Sequence, residues 1–410
     1  MKKLIILLLA AGLLSLSCVD TQKILTQADS LLAQKKYKSA YDFLDKADPE
    51  NKYTDLVLLK MKIMIEGGQY THETKTISLV DYLPGQNAYD IQWDKIKDAS
   101  YAVHPEAILS QLIQKHPENW EGYQVLGEYY VWLARYDYVY DNNAMQAHFK
   151  LAVDKLTAAQ SHQPLDGDGL YALGMAYSMT QEILKSIDCF NQALALGNKK
   201  PEVYFSLAGS QSAIGDYVRA IENGQKAFAL YPDNHDKEAA ALNIATCYES
   251  MKDYDNAEKF LNSARQTLPQ SDDLSSWLLY AYVQDGKVKE AEALFEDEIV
   301  KNPLSLGNLQ NLMSGFGEYP NRNDLLPFLK HLRKKYAKKN DVLAGLYFCE
   351  GFCDLMNKKL KAGNAALKKS KSCAEKVNPL PKEFLDYFKP VDPKLFEKEQ
   401  ALIKQYFQGK

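Results

Sequence analysis

The sequence has few of the residues on which enzymes and metal sites most often depend. Its 410 residues include seven histidines, six cysteines and four tryptophans. The histidines are scattered, and His72-Glu73 lacks the second histidine that a zinc-binding HExxH helix requires. Neither a phosphate-binding G-x-x-x-x-G-K-[ST] loop nor a G-x-S-x-G nucleophile motif occurs. The sequence therefore predicts no enzyme, no cofactor and no metal site.

The chain also lacks a strong charge of either sign. Its formal net charge is −4 at pH 7, which gives no general electrostatic basis for binding nucleic acid. One stretch departs from this average, because residues 328–376 carry 13 lysines and arginines against 4 acidic residues. We interpret this stretch as a solvated helix face. An acidic partner or anionic lipid headgroups are the alternative ligands.

The cysteines do not form a disulfide framework. Five remain apart from Cys18, an odd number that is spread along the chain. Each falls on the apolar register of a predicted helix, where cysteine behaves as a small buried hydrophobe. These five are Cys189, Cys247, Cys349, Cys353 and Cys373. A zinc site formed by the last three is the less favoured alternative.

The N-terminal apolar run, Leu4 to Leu14, is too short to be a typical membrane span. It follows Met1-Lys2-Lys3 and precedes Ser15-Leu16-Ser17-Cys18, a pattern that resembles a bacterial lipoprotein signal. The resemblance implies that residues 1–17 are removed and that Cys18 carries lipid. Val19 after the cysteine favours the outer membrane. Cleavage at the ordinary Ser15-x-Ser17 site would instead release a secreted or periplasmic soluble protein.

The chain does contain an internal repeat of 34 residues. Like residues recur at that spacing in three pairs, Ala193 and Ala227, Ala257 and Ala291, and Pro269 and Pro303. Within residues 201–233, small and apolar residues form two helical stripes that Gly215-Asp216 separates. Each unit therefore predicts two amphipathic helices, which bury their shared face only when neighbouring units stack.

The recurring positions of each unit resemble the tetratricopeptide repeat family. In the unit that begins near Asp166 they are Leu173, Gly174, Tyr177, Phe190 and Ala193. The resemblance runs from Asp166 to Pro303 and implies an all-α fold, a right-handed α-solenoid of helix-turn-helix repeats with degenerate terminal units. We predict degenerate helical repeats over 18–118, a core array over 119–305, and degenerate repeats with a capping helix, Pro393–Phe407, over 306–410.

Three local features need separate interpretation. Residues 51–119 keep apolar residues at helical spacing but few residues of the repeat signature. An enzyme hidden in this segment is the least favoured hypothesis. Tyr136–Tyr140 is predicted as a partly exposed insert beyond a helix end, which either binds a partner or packs on the array. Asp166-Gly167-Asp168-Gly169 is predicted to cap a helix rather than to bind calcium, because Tyr177 stands where the closing glutamate is needed.

The family resemblance implies a ligand groove lined by the first helix of each unit. None of the positions projected onto it is basic, which disfavours the acidic chaperone tails bound by carboxylate-clamp members of the family. Apolar anchors on a helix or extended segment fit better. The projected positions are Gln124, Glu128, Trp132, Tyr171, Met175, Met179, Phe205, Leu242 and Tyr280.

These features together favour a non-enzymatic scaffold or adaptor that is exported, lipid-anchored and bound to a protein or peptide partner. The alternative is a component of an uptake system that captures glycan or peptide ligands at the cell envelope. Exposed aromatic side chains would serve either function.

Overall fold

A computed structural model describes residues 20–71, 75–83, 91–93, 100–316 and 322–388, the side chains of 137–140 and 322–324 excepted. The predicted signal (residues 1–17), the lipidation site Cys18 and the predicted capping helix Pro393–Phe407 lie outside the described residues. The chain divides into two compact units, Met1–Asp216 and Tyr217–Lys410.

Helices dominate the first unit. They are α1 (Thr21–Leu32), α2 (Tyr37–Ala47), α3 (Thr54–Gly67), α4 (Pro105–Lys115), α5 (Trp120–Tyr140), α6 (Asn142–Gln160), α7 (Gly167–Met179), α8 (Ile183–Ala195) and α9 (Pro201–Ala213). Each packs mainly on its neighbours in sequence. One continuous apolar cluster runs from Ala28 to Leu207 through these helices. Neighbour-to-neighbour burial of this kind is what a repeat array requires.

The second unit is built in the same way. Its helices are α10 (Tyr217–Leu230), α11 (Asn234–Met251), α12 (Tyr254–Thr267), α13 (Asp272–Gln284), α14 (Val288–Lys301), α15 (Leu306–Gly315), α16 (Arg322–Lys335), α17 (Asn340–Met356), α18 (Leu360–Ala374) and α19 (Lys382–Asp386). Its main apolar cluster runs from Ala241 to Phe384. The predicted all-α class of helix-turn-helix repeats is therefore confirmed.

Residues of the predicted repeat signature hold paired helices close together. Gly174 of α7 faces Phe190 of α8, and a Cβ at Gly174 would lie 2.6 Å from a carbon of that ring. Gly127 of α5 stands in the same relation to Leu156 of α6. The helix break predicted at Gly215-Asp216 is also confirmed, because α9 ends at Ala213 and α10 begins at Tyr217.

The helical rhythm expected over residues 51–119 is wrong for part of that segment. After α3, the chain forms β1 (Gly68–Thr71), β2 (Thr76–Leu79) and β3 (Ser100–Tyr101), an antiparallel sheet in the order β1-β2-β3. Strand β2 buries Ile77 and Leu79. Asp81 then accepts a hydrogen bond from the Ser39 amide of α2 at 2.9 Å. Pairing between residues distant in sequence thus overrides the local periodicity.

The prediction that Tyr136–Tyr140 form an insert beyond a helix end is also wrong. These residues form the last turns of α5, which runs without a break from Trp120 to Tyr140. Asp141 then caps α6 by accepting hydrogen bonds from the Asn143 and Ala144 amides at 2.9 and 3.0 Å. The second helix of this unit therefore follows directly, and the additional residues lengthen the first helix.

The cysteines lie where the apolar register predicted. Cys189, Cys247, Cys349 and Cys353 are buried, and Cys373 is half-buried. Burial raises the pKa of Cys349 well above its ordinary value. This favours the neutral thiol over the thiolate that zinc binds.

Among the described residues, no helix combines the length and apolar composition needed to cross a membrane.

Candidate functional site

A cavity of about 410 Å³ in the first unit brings together residues from four helices. Helix α5 contributes side chains spaced three and four residues apart, so they project from one helical face. The beginnings of α7 and α9 and the end of α3 complete the wall. The lining residues are Lys62, Ile65 and Glu66; Glu128, Val131, Trp132 and Arg135; Asp166, Asp168, Tyr171 and Ala172; and Lys200, Glu202 and Val203.

Glu128 is a carboxyl group held in a largely desolvated position. Gln124 donates a hydrogen bond to Glu128 Oε1 at 2.8 Å and another to Asp166 Oδ1 at 2.8 Å. Burial raises the pKa of Glu128 to about 7, and the charge of Asp166 adds to the shift, while the Gln124 hydrogen bond and Lys62 oppose it. The Glu128 carboxyl therefore changes its charge near neutral pH.

The Asp-Gly-Asp-Gly motif positions one edge of this cavity. Asp166 caps α7 by accepting hydrogen bonds from the Asp168 and Gly169 amides at 3.1 and 2.8 Å. This confirms the predicted capping role. A Cβ at Gly169 would lie 2.7 Å from the Gln124 carboxamide carbon, so the glycine leaves space for that side chain. The motif thus fixes both the helix start and the amide that links Glu128 to Asp166.

An aromatic cluster holds Trp132 in place on the α5 side. Its ring lies 5.9 Å from Tyr70 of β1 and 5.0 Å from Tyr136, both at T-shaped angles. The Tyr136 hydroxyl lies 3.3 Å from the Gly68 carbonyl oxygen, to which it donates a hydrogen bond. Trp132 is only 7% exposed. It therefore forms a fixed wall, and the sheet that the sequence did not predict supports it.

Two of the three cations in the lining have carboxylate partners. Lys62 pairs with Glu121 at 2.8 Å, and Lys200 pairs with Asp168 at 2.9 Å. Arg135 is exposed. The lining contains five carboxylates against these three cations. None of the projected groove positions is basic, but three other residues of the lining are, and carboxylates still outnumber these cations.

The structure brings only part of the projected groove to this cavity. Glu128, Trp132 and Tyr171 line it, whereas Gln124 lies behind its wall and is 3% exposed. Met175, Met179 and Phe205 are half-buried in the same unit, outside the lining. Leu242 and Tyr280 belong to the second unit, where the Tyr280 hydroxyl donates to Glu249 Oε1 at 3.1 Å. One groove through all these positions stays a prediction.

Apart from Glu128, the charged residues of the lining were missed by reasoning from the sequence, although the repeat carried a signal for four of them. Lys200 stands 34 residues after Asp166, and Glu202 stands 34 residues after Asp168. Equivalent positions at the start of successive first helices therefore meet in the cavity. Lys62 and Glu66 carried no such signal, because α3 lies in the segment without a clear repeat.

A second cluster of charged groups lies in the second unit. Asp255, Glu258 and Asp285 converge closely enough to share one cation. Lys287 supplies that charge, with its Nζ 3.1, 2.6 and 2.8 Å from the three carboxylates in that order. This cluster is therefore an ion-pair network between helix ends.

Comparison with known proteins supports the repeat assignment for one unit. Residues 239–264, which span α11 and α12, match the tetratricopeptide repeat family. The match falls inside the predicted core array. No curated protein sequence matches the chain.

Several solved structures resemble the chain at low identity. The tetratricopeptide protein TTC0263 of Thermus thermophilus is 19% identical over 55% of this chain and 97% of its own, with a TM-score of 0.38. A tetratricopeptide repeat protein of Parabacteroides merdae is 18% identical over 69% of this chain and 90% of its own, also with a TM-score of 0.38. The APC/C hetero-tetramer Cut9-Hcn1 is 13% identical over 92% of this chain and 57% of its own, with a TM-score of 0.39.

Proposed function

We propose that this protein is a non-enzymatic scaffold whose first unit binds a segment of a partner protein in the cavity between α3, α5, α7 and α9. One observation carries the proposal, namely that Glu128, Trp132 and Tyr171, three positions expected to line a ligand groove, meet in one cavity. A rigid aromatic wall beside charged groups is a common basis for recognising a peptide. Fixed side chains also lose little entropy on binding.

The protein in this proposal is exported and carries lipid on Cys18, at the outer membrane of a bacterium. The supporting features are Lys2-Lys3, the short apolar run that follows, and the cysteine at the end of the segment. The soluble alternative after cleavage at Ser17 differs in one measurable property, which is the attached lipid.

Metabolic labelling tests the anchor. Cells that express the full chain are grown with an alkyne fatty acid, and we expect label on the wild type and loss of all label in Cys18→Ala. Cys373→Ala is the control, because it also removes a thiol but lies on α18. An unlabelled wild-type protein recovered from the soluble fraction would support the secreted or periplasmic alternative.

Site-specific photocrosslinking in intact cells tests the binding cavity. A photoreactive amino acid replaces Arg135, which is exposed and lines the cavity. The control replaces Leu184 of α8, which is 71% exposed and lies outside the lining. We expect a discrete adduct at Arg135 that is missing at Leu184. The same adducts at both positions, or none at Arg135, would refute binding in this cavity.

Capture of a small ligand is the second candidate function. The cavity volume of about 410 Å³ falls in the range of about 300–1,000 Å³ that small-molecule sites occupy. A thermal-shift screen with simple sugars and with dipeptides that lack lysine and arginine separates the two candidates. A saturable rise in melting temperature with one of them favours capture for an uptake system, whereas the scaffold proposal expects no such rise.

A further inference from the structure

We infer that the cavity of the first unit accepts a lysine or arginine side chain of the partner segment, an inference that rests on the proposed function. Of the five carboxylates in the lining, Asp168 is paired with Lys200. Lys62 pairs with Glu121, which lies outside the lining, and its charge also acts on Glu128 and Asp166. Four carboxylates therefore share the cavity with a single further cation, Arg135.

Three of these four carboxylates accept hydrogen bonds from neutral donors, and their negative charge is offset only in part, by Lys62 near Glu128 and Asp166 and by Lys200 near Glu66. Glu128 and Asp166 accept from the neutral amide of Gln124, each at 2.8 Å. Glu66 accepts from the Tyr37 hydroxyl at 3.3 Å. Neutral donors satisfy lone pairs but supply no full positive charge. An ammonium or guanidinium group entering the cavity would supply it, and the interaction would be stronger here than in bulk water.

The apolar part of the lining suits the stem of the same side chains. Ile65, Val131, Trp132 and Tyr171 line the cavity together with the carboxylates. Lysine and arginine carry an apolar stem that packs on such surfaces while the charged head reaches polar groups. Aromatic rings also attract a cation placed over their faces. An acidic side chain would meet the same carboxylates and be repelled. The chemistry of the wall therefore selects for a cationic residue.

Protonation of Glu128 gives the inference a second signature. A cation that binds beside this carboxyl favours its charged form, so binding releases a proton when Glu128 is protonated beforehand. We expect binding to strengthen as pH rises from 6 to 8. The charged and titratable groups that surround Glu128 are Lys62 and Glu66 on α3, Glu121 and Arg135 on α5, Asp166, Asp168 and Tyr171 at the start of α7, and Lys200 and Glu202 at the start of α9.

Ligand-observed NMR titration of the full chain provides the test. The probes are four acetylated, amidated pentapeptides with two glycines on each side of a central lysine, arginine, norleucine or glutamate. We expect saturable binding of the lysine and arginine peptides, with the norleucine peptide weaker by about tenfold and the glutamate peptide silent, because a cation gains charge interactions that an isostere lacks. Added salt should weaken the cationic peptides only.

Variants of opposite expected effect make the test independent of folding defects. Glu128→Gln keeps the shape of the side chain, and we expect it to weaken the lysine peptide by about tenfold, since it removes one charge interaction. Arg135→Gln should instead strengthen that peptide by about threefold, because it removes a repelling cation. A gain in affinity cannot come from misfolding. Glu118→Gln, exposed and outside the lining, is the matched control and should change nothing.

The outcomes separate this inference from the proposed function. If Arg135 crosslinks a partner but the norleucine peptide binds as tightly as the lysine peptide, the scaffold proposal stands and the preference for a cation is refuted. If neither crosslinking nor peptide binding occurs, both fall. Weakening by Glu128→Gln together with strengthening by Arg135→Gln supports both. Unchanged affinity in both variants overturns the cation inference.

Discussion

At the residue scale, the surroundings of Glu128 oppose its ionisation. Its carboxyl lies among apolar and acidic neighbours, and burial raises its pKa from 4.5 to about 7. The folded protein therefore binds a proton between these values that the unfolded chain has already released. The stabilising contribution of this proton is complete below pH 4.5 and disappears as pH rises through 7. Above pH 7 Glu128 is a carboxylate in the folded protein, and its burial makes that charged form unfavourable.

The variant Glu128→Gln tests this pH dependence in the absence of any ligand. We expect it to be more stable than the wild type at pH 8 by about 2 kcal/mol, and to lose that advantage near pH 4.5, because the amide stays neutral throughout. Thermal melts at both values measure the difference. Glu118→Gln, at an exposed position outside the lining, is the control for the substitution itself. An equal difference between Glu128→Gln and the wild type at both values would contradict the assigned ionisation.

At the element scale, glycine decides how closely the two helices of a repeat approach. Gly174 lies against the fully buried ring of Phe190, with no space for a methyl group. Gly209 stands 35 residues later, inside α9, and a Cβ there would meet nothing within 4 Å. The two glycines are therefore one residue apart in the register of the repeat, but only Gly174 is required by helix packing. Their substitution by alanine should therefore have opposite effects.

A pair of alanine variants measures this contrast. Gly174→Ala should destabilise the protein by about 1–3 kcal/mol, because Phe190 must shift to admit the methyl group. Gly209→Ala should instead stabilise it by about 0.5–1 kcal/mol, because alanine loses less backbone entropy in a helix than glycine does. Chemical denaturation followed by circular dichroism reports both values. Similar effects of the two substitutions would show that the α7–α8 contact is looser than described.

At the scale of the whole molecule, the chain buries its apolar side chains in two compact units. The main clusters run from Ala28 to Leu207 and from Ala241 to Phe384. In repeat proteins each element contacts only its neighbours, so a local defect weakens nearby repeats most. Phe295 is a suitable probe, because its ring is fully buried and lies 5.5 Å from Phe316 and 5.8 Å from Phe328.

Hydrogen exchange of Phe295→Ala tests this local response. Loss of the ring should cost about 3–5 kcal/mol and increase exchange in the amides of α13 to α16, because the cavity it leaves is surrounded by those helices. The amides of α1 to α6 should exchange as in the wild type. Phe190→Ala, in the first unit, should instead increase exchange in α7 to α9 and leave the amides of α13 to α16 as in the wild type. A uniform increase along the chain would show that both units unfold as one.

The repeat itself could be predicted because its causes are local. Each of its features acts within one helix pair and can therefore be seen in the 34-residue spacing. These features are the small residues Gly174 and Ala193, the break at Gly215-Asp216 and the cap at Asp166. The burial of the cysteines followed from the same periodicity. These features determined the helix pairs, the start of α7 and the break between α9 and α10.

The cavity depended on the tertiary structure, because residues far apart in sequence build it. Ile77 pairs with Tyr101 in a sheet that supports Tyr70 and hence Trp132, and no local pattern reports such pairing. The end of α3 likewise reaches Glu128 only through the packing of the first unit. The sequence alone determined the repeated helices, since their amphipathic pattern depends on residues that are close together in the sequence. Only the folded chain decided which charges share one desolvated space, because desolvation is a property of the assembled helices.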